Sequence, residues 1–130
     1  MILLDTNTLI YYLKGVEPVV SRLQAASPRE VAIPSVVAYE IEYGTLKSGS
    51  ARRRTVVADL LAGLRQAPFD LEAAREAARI RHELEARGLA IGPLDLLIAG
   101  TAVSLGAVLV TNNSREFSRV KGLRLADWTR

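Results

Sequence analysis

Residues 91–114, IGPLDLLIAGTAVSLGAVLVTNNS, decide the fold. Gly92-Pro93 opens a helix, because proline's fixed φ suits the first helical position and no hydrogen bond is lost there. Apolar residues follow at Leu94, Leu96, Leu97, Ile98 and Ala99, and the helix is predicted to run to Leu105, where Gly106 stops it. Ala107-Val108-Leu109-Val110 is the clearest strand in the chain, short and apolar on both faces as a buried parallel strand requires. Thr111-Asn112-Asn113-Ser114 is the polar loop beyond it.

The same alternation extends toward both termini. Ile2-Leu3-Leu4 reads as a buried strand ending at Asp5, followed by a short helix from Thr8 to Leu13 that Gly15 terminates. Pro18 is expected as the first residue of a helix continuing through Val19 to Ala26. Val31-Ala32-Ile33 is a second strand, ended by Pro34, and Ser35 is expected to cap a helix from Val36 to about Lys47. Ser48-Gly49-Ser50 turns the chain into a helix over Ala51–Leu64, and Ala67-Pro68-Phe69 is expected as a short edge strand. Leu71–Arg87 is a long amphipathic helix with an apolar stripe of Leu71, Ala74, Ala78, Ile80 and Leu84, closed by Gly88. Leu123-Arg124-Leu125 is the last strand. Short apolar strands alternating with helices predict one α/β domain over residues 1–130, a three-layer fold with a parallel sheet flanked by helices on both faces. In such sheets ligands bind beyond the carboxyl ends of the strands.

Composition narrows the function classes. Hydrophobic residues make up 49% of the chain, which excludes a disordered segment. There is no cysteine, so disulfides and cysteine-based zinc sites are excluded. The opening MILLDTN lacks a basic n-region and a long apolar h-region, and no apolar run reaches the roughly 18 residues of a membrane span. A soluble, cytoplasmic protein with no membrane partner is therefore expected. The net charge of +3 is mild, but the cations cluster: Arg52, Arg53 and Arg54; Arg75, Arg79, Arg81 and Arg87; Arg115, Arg119, Lys121 and Arg124. Such clusters contact phosphate or form an ordinary solvated face.

Three acids sit where the strand-end rule directs attention. Asp5 follows the first strand, Glu40 lies a turn and a half into the helix after the second, and Asp95 is the third residue of the helix opened by Pro93. Each has an ordinary alternative: Asp5 as a helix cap, Asp95 as an acid favoured by the helix dipole, and Glu40 or its neighbour Glu42 as helix surface. Their neighbours argue otherwise. Asp5 lies between Leu4 and Leu9-Ile10, Asp95 precedes Leu96-Leu97-Ile98-Ala99, and Glu40 is expected to share a face with Val36, Val37 and Tyr43. Acids beside apolar neighbours are costly unless paired or bound to a cation, and gathered carboxylates raise one another's pKa. A hard divalent cation, Mg²⁺ or Mn²⁺, removes that penalty, and near basic clusters it suggests phosphodiester hydrolysis. No Ser-His-Asp or Cys-His set competes. His82, the one histidine, is expected on a helix surface, and no glycine-rich phosphate loop is present.

These residues resemble the PIN-domain family, in particular the VapC toxins of type II toxin–antitoxin systems. Leu3-Leu4-Asp5-Thr6-Asn7 is similar to the family's opening strand and first acid. Glu40-Ile41-Glu42-Tyr43-Gly44 is similar to its second motif, whose acid lies four residues before the glycine and so picks Glu40 over Glu42. Ile91 to Ala99 carries the third motif, and Val110-Thr111-Asn112-Asn113-Ser114-Arg115-Glu116-Phe117 the last. The departure is Asn113, where many members have Asp; Asn113 or Glu116 is left as the fourth ligand. The resemblance implies a PIN-like fold and a Mg²⁺- or Mn²⁺-dependent ribonuclease that inhibits translation. Asp5, Glu40 and Asp95 would bind metal, Glu40 directly or through water, and Thr111 would hydrogen-bond a carboxylate or the scissile phosphate. It further implies a VapB-type antitoxin, a homodimer and a larger complex on operator DNA formed through the antitoxin. Arg52, Arg53, Arg54 and Arg115 are the candidate RNA contacts. Two alternatives stay open. A haloacid-dehalogenase-like or receiver-domain phosphoryl-transfer enzyme lacks its expected second acids here, position 7 being Asn7. A catalytically weak RNA- or partner-binding module of the same fold is favoured by Asn113.

Overall fold

Ile2–Leu4 forms β1, the central strand of a five-stranded sheet, in a computed structural model that describes residues 1–130. Helices α1 (Thr6–Leu13) and α2 (Val19–Ala25) connect it to β2 (Val31–Pro34), and α3 (Ser35–Ser48) and α4 (Ala51–Gly63) lead on to β3 (Arg65–Ala67). Helices α5 (Leu71–Ala86) and α6 (Pro93–Leu105) return the chain to β4 (Val108–Val110), and α7 (Ser114–Phe117) leads to β5 (Arg124–Ala126). The strand order is β3-β2-β1-β4-β5, and every pairing is parallel. Leu4 pairs with Val110, which aligns the carboxyl ends of β1 and β4. Right-handed crossovers place α1–α4 on one face and α5–α7 on the other. The order reverses between β1 and β4, so the topological switch point lies at these two strand ends.

The core is one cluster of 23 buried residues, built on Leu3, Leu4, Ile33, Leu109 and Val110 from the strands and on Leu9, Val37, Ile80 and Ile98 from the helices. All four residues of β2 are buried, as burial on both sides demands. Gly100 sets the approach of α6 to α5: a Cβ there would lie 2.7 Å from Ala73 O, Ala77 N and Ala77 Cβ.

Several local expectations shift. Helix α1 starts at Thr6 because Asp5 caps it, accepting from Thr6 N at 2.8 Å. Pro18 takes the N-cap position of α2, one residue before the helix proper. Ser35 is already helical, and its hydroxyl donates to Ala67 O across to β3 at 3.4 Å. The third strand is Arg65–Ala67, paired with Ala32–Pro34, and ends before Pro68, which has no N–H to give a ladder. The loop after β4 contains the short helix α7, and its Phe117 is buried. On α5 the buried stripe is Ala73, Ala77, Ile80 and Leu84, with Leu71 63% exposed and Ala78 also exposed. His82 is exposed on α5 as expected. No helix is long and apolar enough to cross a membrane.

Candidate active site

Asp5 and Thr111 occupy the residue after β1 and the residue after β4, side by side at the switch point. Backbone pairing carries one step past the strands, with Asp5 N donating to Val110 O at 3.0 Å and Thr111 N to Ala126 O at 2.9 Å. Thr8 Oγ1 also donates to Val110 O, at 3.0 Å, which ties α1 to the same edge. Both Asp5 and Thr111 are buried. Each oxygen of Asp5 has a donor: Thr6 N gives a bond to Oδ1 at 2.8 Å and Thr111 Oγ1 to Oδ2 at 2.7 Å. The capping reading and the buried-acid reading of Asp5 are therefore both right. Burial pushes its pKa up, and the bonds from Thr111 and Thr6 partly oppose that rise.

Helix α3 brings Glu40, half-buried, to the same place. Thr6 Oγ1 donates to Glu40 Oε1 at 2.7 Å. Glu42, two residues on, is exposed. The expected common face of Glu40 with Val36, Val37 and Tyr43 is not observed: Val36 and Val37 are buried while Tyr43 is 59% exposed. Glu40 lies on the border between these two sides of α3.

Helix α6 supplies Asp95 from its first turn. Its pKa is pushed up to about 7 by burial, by a hydrogen bond shared with Glu116, and by the negative charges of Asp5, Glu116 and Glu40. Glu116, nearer solvent, is lowered by that same shared bond, by Asn113 and by the positive field of Arg119. Asn113 Nδ2 donates to Glu116 Oε2 at 3.0 Å, and Asn113 N donates to Thr111 Oγ1 at 2.9 Å. Asn113 therefore braces Glu116 through its side chain and Thr111 through its backbone, and the carboxylate this loop brings to Asp95 is Glu116.

Four acids thus meet at one sheet edge, and none of Asp5, Glu40 and Asp95 is paired with Lys, Arg or His. Their oxygens do not already converge as a three-ligand cluster; each is turned to its own hydroxyl, amide or carboxyl partner. Thr6 is the member that sequence reasoning left without a role. Its signal was a hydroxyl residue immediately after a strand-end acid.

The cations separate into two groups. On α5, Arg75 pairs with Glu72, Arg79 with Glu76 and Glu83, and Arg81 with Glu85. Arg119 donates to Ala90 O, Arg87 to Arg119 O and Arg124 to Gly106 O. Arg52, Arg53, Arg54 and Arg115 form no ion pair. Arg52 and Arg54 are exposed, whereas Arg53 is half-buried with its Nε unpartnered, because consecutive helical residues point about 100° apart.

Comparison with known proteins agrees with this geometry. The PIN domain family matches residues 2–123. The chain is 38% identical to a Salmonella typhimurium protein named tRNA(fMet)-specific endonuclease VapC, over 97% of this chain and 96% of the relative. It is 36% identical to Ribonuclease VapC2 of Rickettsia felis, over 97% and 96% of the two chains. Among solved structures, DNA-bound VapBC from Salmonella typhimurium superposes with a TM-score of 0.90 at 38% identity, covering 98% of this chain and 97% of that one. Rickettsia felis VapBC2 bound to a promoter DNA fragment gives 0.88 at 35% identity, covering 98% and 99%. With its strand-end acids, its parallel sheet and these relatives, the chain belongs to the PIN-domain family, within the group of VapC ribonucleases.

Proposed function

We propose that this protein is the toxin of a type II toxin–antitoxin pair, a Mg²⁺- or Mn²⁺-dependent endoribonuclease that cuts RNA in the cytoplasm and so inhibits translation. The observation that carries the reading is the group of four carboxylates at the switch point, none of them in a salt bridge. This all-oxygen donor set fits a hard divalent cation. Asp5 and Asp95 would hold it directly, Glu40 directly or through water, and Glu116 would complete the set with Asn113 bracing it. A bound divalent cation supplies charge neutralisation for the phosphodiester and lowers the pKa of an attacking water. The remaining work belongs to the chain. Thr6 N and Thr111 Oγ1 fix both oxygens of Asp5, so the carboxylate keeps one orientation. Thr6 Oγ1 holds Glu40 in reserve on the same side. Asn113 Nδ2 holds Glu116 in place beside Asp95 at the rim of the site. The unpaired Arg52, Arg53, Arg54 and Arg115 are the candidates for holding the RNA backbone.

Relatives solved as VapBC complexes, two of them on DNA, support a VapB-type antitoxin as the partner of this chain. The DNA-bound relatives likewise support an operator-bound assembly reached through the antitoxin, and a homodimer is part of the same proposal. The relative named for tRNA(fMet) makes that transfer RNA the first substrate to try. The test is cleavage by purified, antitoxin-free protein with Mg²⁺ or Mn²⁺, with EDTA, and with Asp5→Ala and Asp95→Ala. Cation-dependent cleavage lost in both variants is expected. Cleavage in EDTA, or full activity in both variants, overturns the metal site, and no cleavage under any cation favours a binding module.

A further inference from the structure

We infer that the exposed face of α3 is a substrate track, on which bases flanking the scissile phosphate stack on Tyr39 and Tyr43 while their phosphates reach Lys47, Arg52 and Arg54. The inference rests on the ribonuclease reading above and names how that site takes its RNA. Tyr39 and Tyr43 are 61% and 59% exposed, although the chain has only four tyrosines, two phenylalanines and one tryptophan. The buried side of α3 is Val36, Val37, Ile41 and Thr45, so the tyrosines have no part in the core.

Their placement ties two charged features together. Glu40 is fixed toward the acidic pocket by Thr6. A helix turns about 100° and rises about 1.5 Å per residue. Tyr43 therefore lies one turn beyond Glu40 and about 60° round from it, and Lys47 two turns beyond and about 20° round. Tyr39 and Tyr43, one turn apart, are neighbours on the helix surface. From Glu40 to the end of α3 at Ser48 the helix advances roughly 12 Å, and just past the turn at Gly49 and Ser50 Arg52 and Arg54 stand exposed and unpaired. The arginines of α5, in contrast, are already neutralised by their own helix. Along α3 the acidic centre at Glu40 is flanked by the open rings of Tyr39 and Tyr43 and followed by free cations, a row that suits a single strand. Stacking on tyrosine suits it because every base has a π-face.

The test is binding of a labelled ten-nucleotide single-stranded RNA in EDTA, where it stays intact. It is run on the wild type, on Y39A/Y43A and on Y39F/Y43F, with sedimentation velocity on each. The alanine pair is expected to bind about ten- to a hundredfold more weakly and to raise KM more than it lowers kcat in the cleavage assay. The phenylalanine pair, which keeps both rings, is expected to bind like the wild type. The track is overturned by failure of the wild type to bind the oligonucleotide, by unaltered binding of the alanine pair, or by equal loss in the phenylalanine pair. It is also overturned if the alanine pair changes the oligomeric state and leaves RNA binding intact, since the face then serves a protein partner. Ring-dependent binding without cleavage by any of the proteins sinks the nuclease reading and leaves the track; cleavage with ring-independent binding sinks the track alone.

Discussion

Asp5 serves the fold and the site at once, capping α1 while presenting a carboxylate that two donors fix in place. Thr111→Val keeps the shape of the side chain and removes one of those donors. At pH 7 the variant should lose about 1–3 kcal/mol in urea denaturation, and cleavage should fall at least tenfold. The sign follows from the direction of the shift. Asp5 already sits above its ordinary value, and losing Thr111 raises it further, so the ionised form costs the folded state more. The deficit is full where Asp5 is ionised in both folded proteins and is lost as the pH falls through its raised folded pKa, above the ordinary carboxylate range. Asp95 gives the opposite expectation. Its folded pKa of about 7 exceeds the unfolded value of 3.8, so the folded state binds more protons between them and stability falls as pH rises through that window. Asp95→Asn removes the penalty. In EDTA it should be about 1–2 kcal/mol more stable than wild type at pH 8, after solvent screening of a half-exposed group, and no more stable at pH 4. The variant should also be inactive, so stability and cleavage would move in opposite directions.

At the scale of elements, the contact between α5 and α6 is the most constrained. Gly100→Ala would ordinarily favour a helix by about 1 kcal/mol, yet its Cβ would meet backbone atoms of Ala73 and Ala77 at 2.7 Å. The helices must separate, and a net loss of about 1–3 kcal/mol is expected, seen as a fall of several degrees in Tm. Sequence grammar located the elements that carry chemistry because their signals are local. Asp5 adjoins an all-apolar strand, and Asp95 follows a Gly-Pro helix start. Elements whose limits depend on partners were less legible. The third strand was expected around Pro68, but pairing with Ala32–Pro34 selects Arg65–Ala67. Tyr43 was expected to share a face with Val36 and Val37, yet the side of α3 that packs is set by Val37, Ile41 and Thr45. The bonds from Thr6 to Glu40 and from Thr111 to Asp5 join residues 34 and 106 positions apart, a relation no local pattern holds.

For the whole molecule, the proposed metal site would have cation and proton compete for the same carboxylates. Mn²⁺ should raise the wild-type Tm in proportion to the logarithm of its concentration above Kd. The rise should be larger at pH 8 than at pH 6, because Asp95 must lose its proton to bind, and absent in Asp95→Asn. Calorimetric scans across pH and cation concentration check this. One feature of the architecture bears on how such a protein is made. The four carboxylates stand at positions 5, 40, 95 and 116, and β1 gains its inner neighbour only when Val108–Val110 has been synthesised. A growing chain still on the ribosome therefore holds three of its four acids without the strand that aligns them. Translation itself imposes a delay between making the parts and arming them, and a chain stalled at residue 110 should leave bulk RNA uncut under conditions where the released chain degrades it. The interval spans the last stretch of synthesis, when a freshly made inhibitor has its first chance to bind.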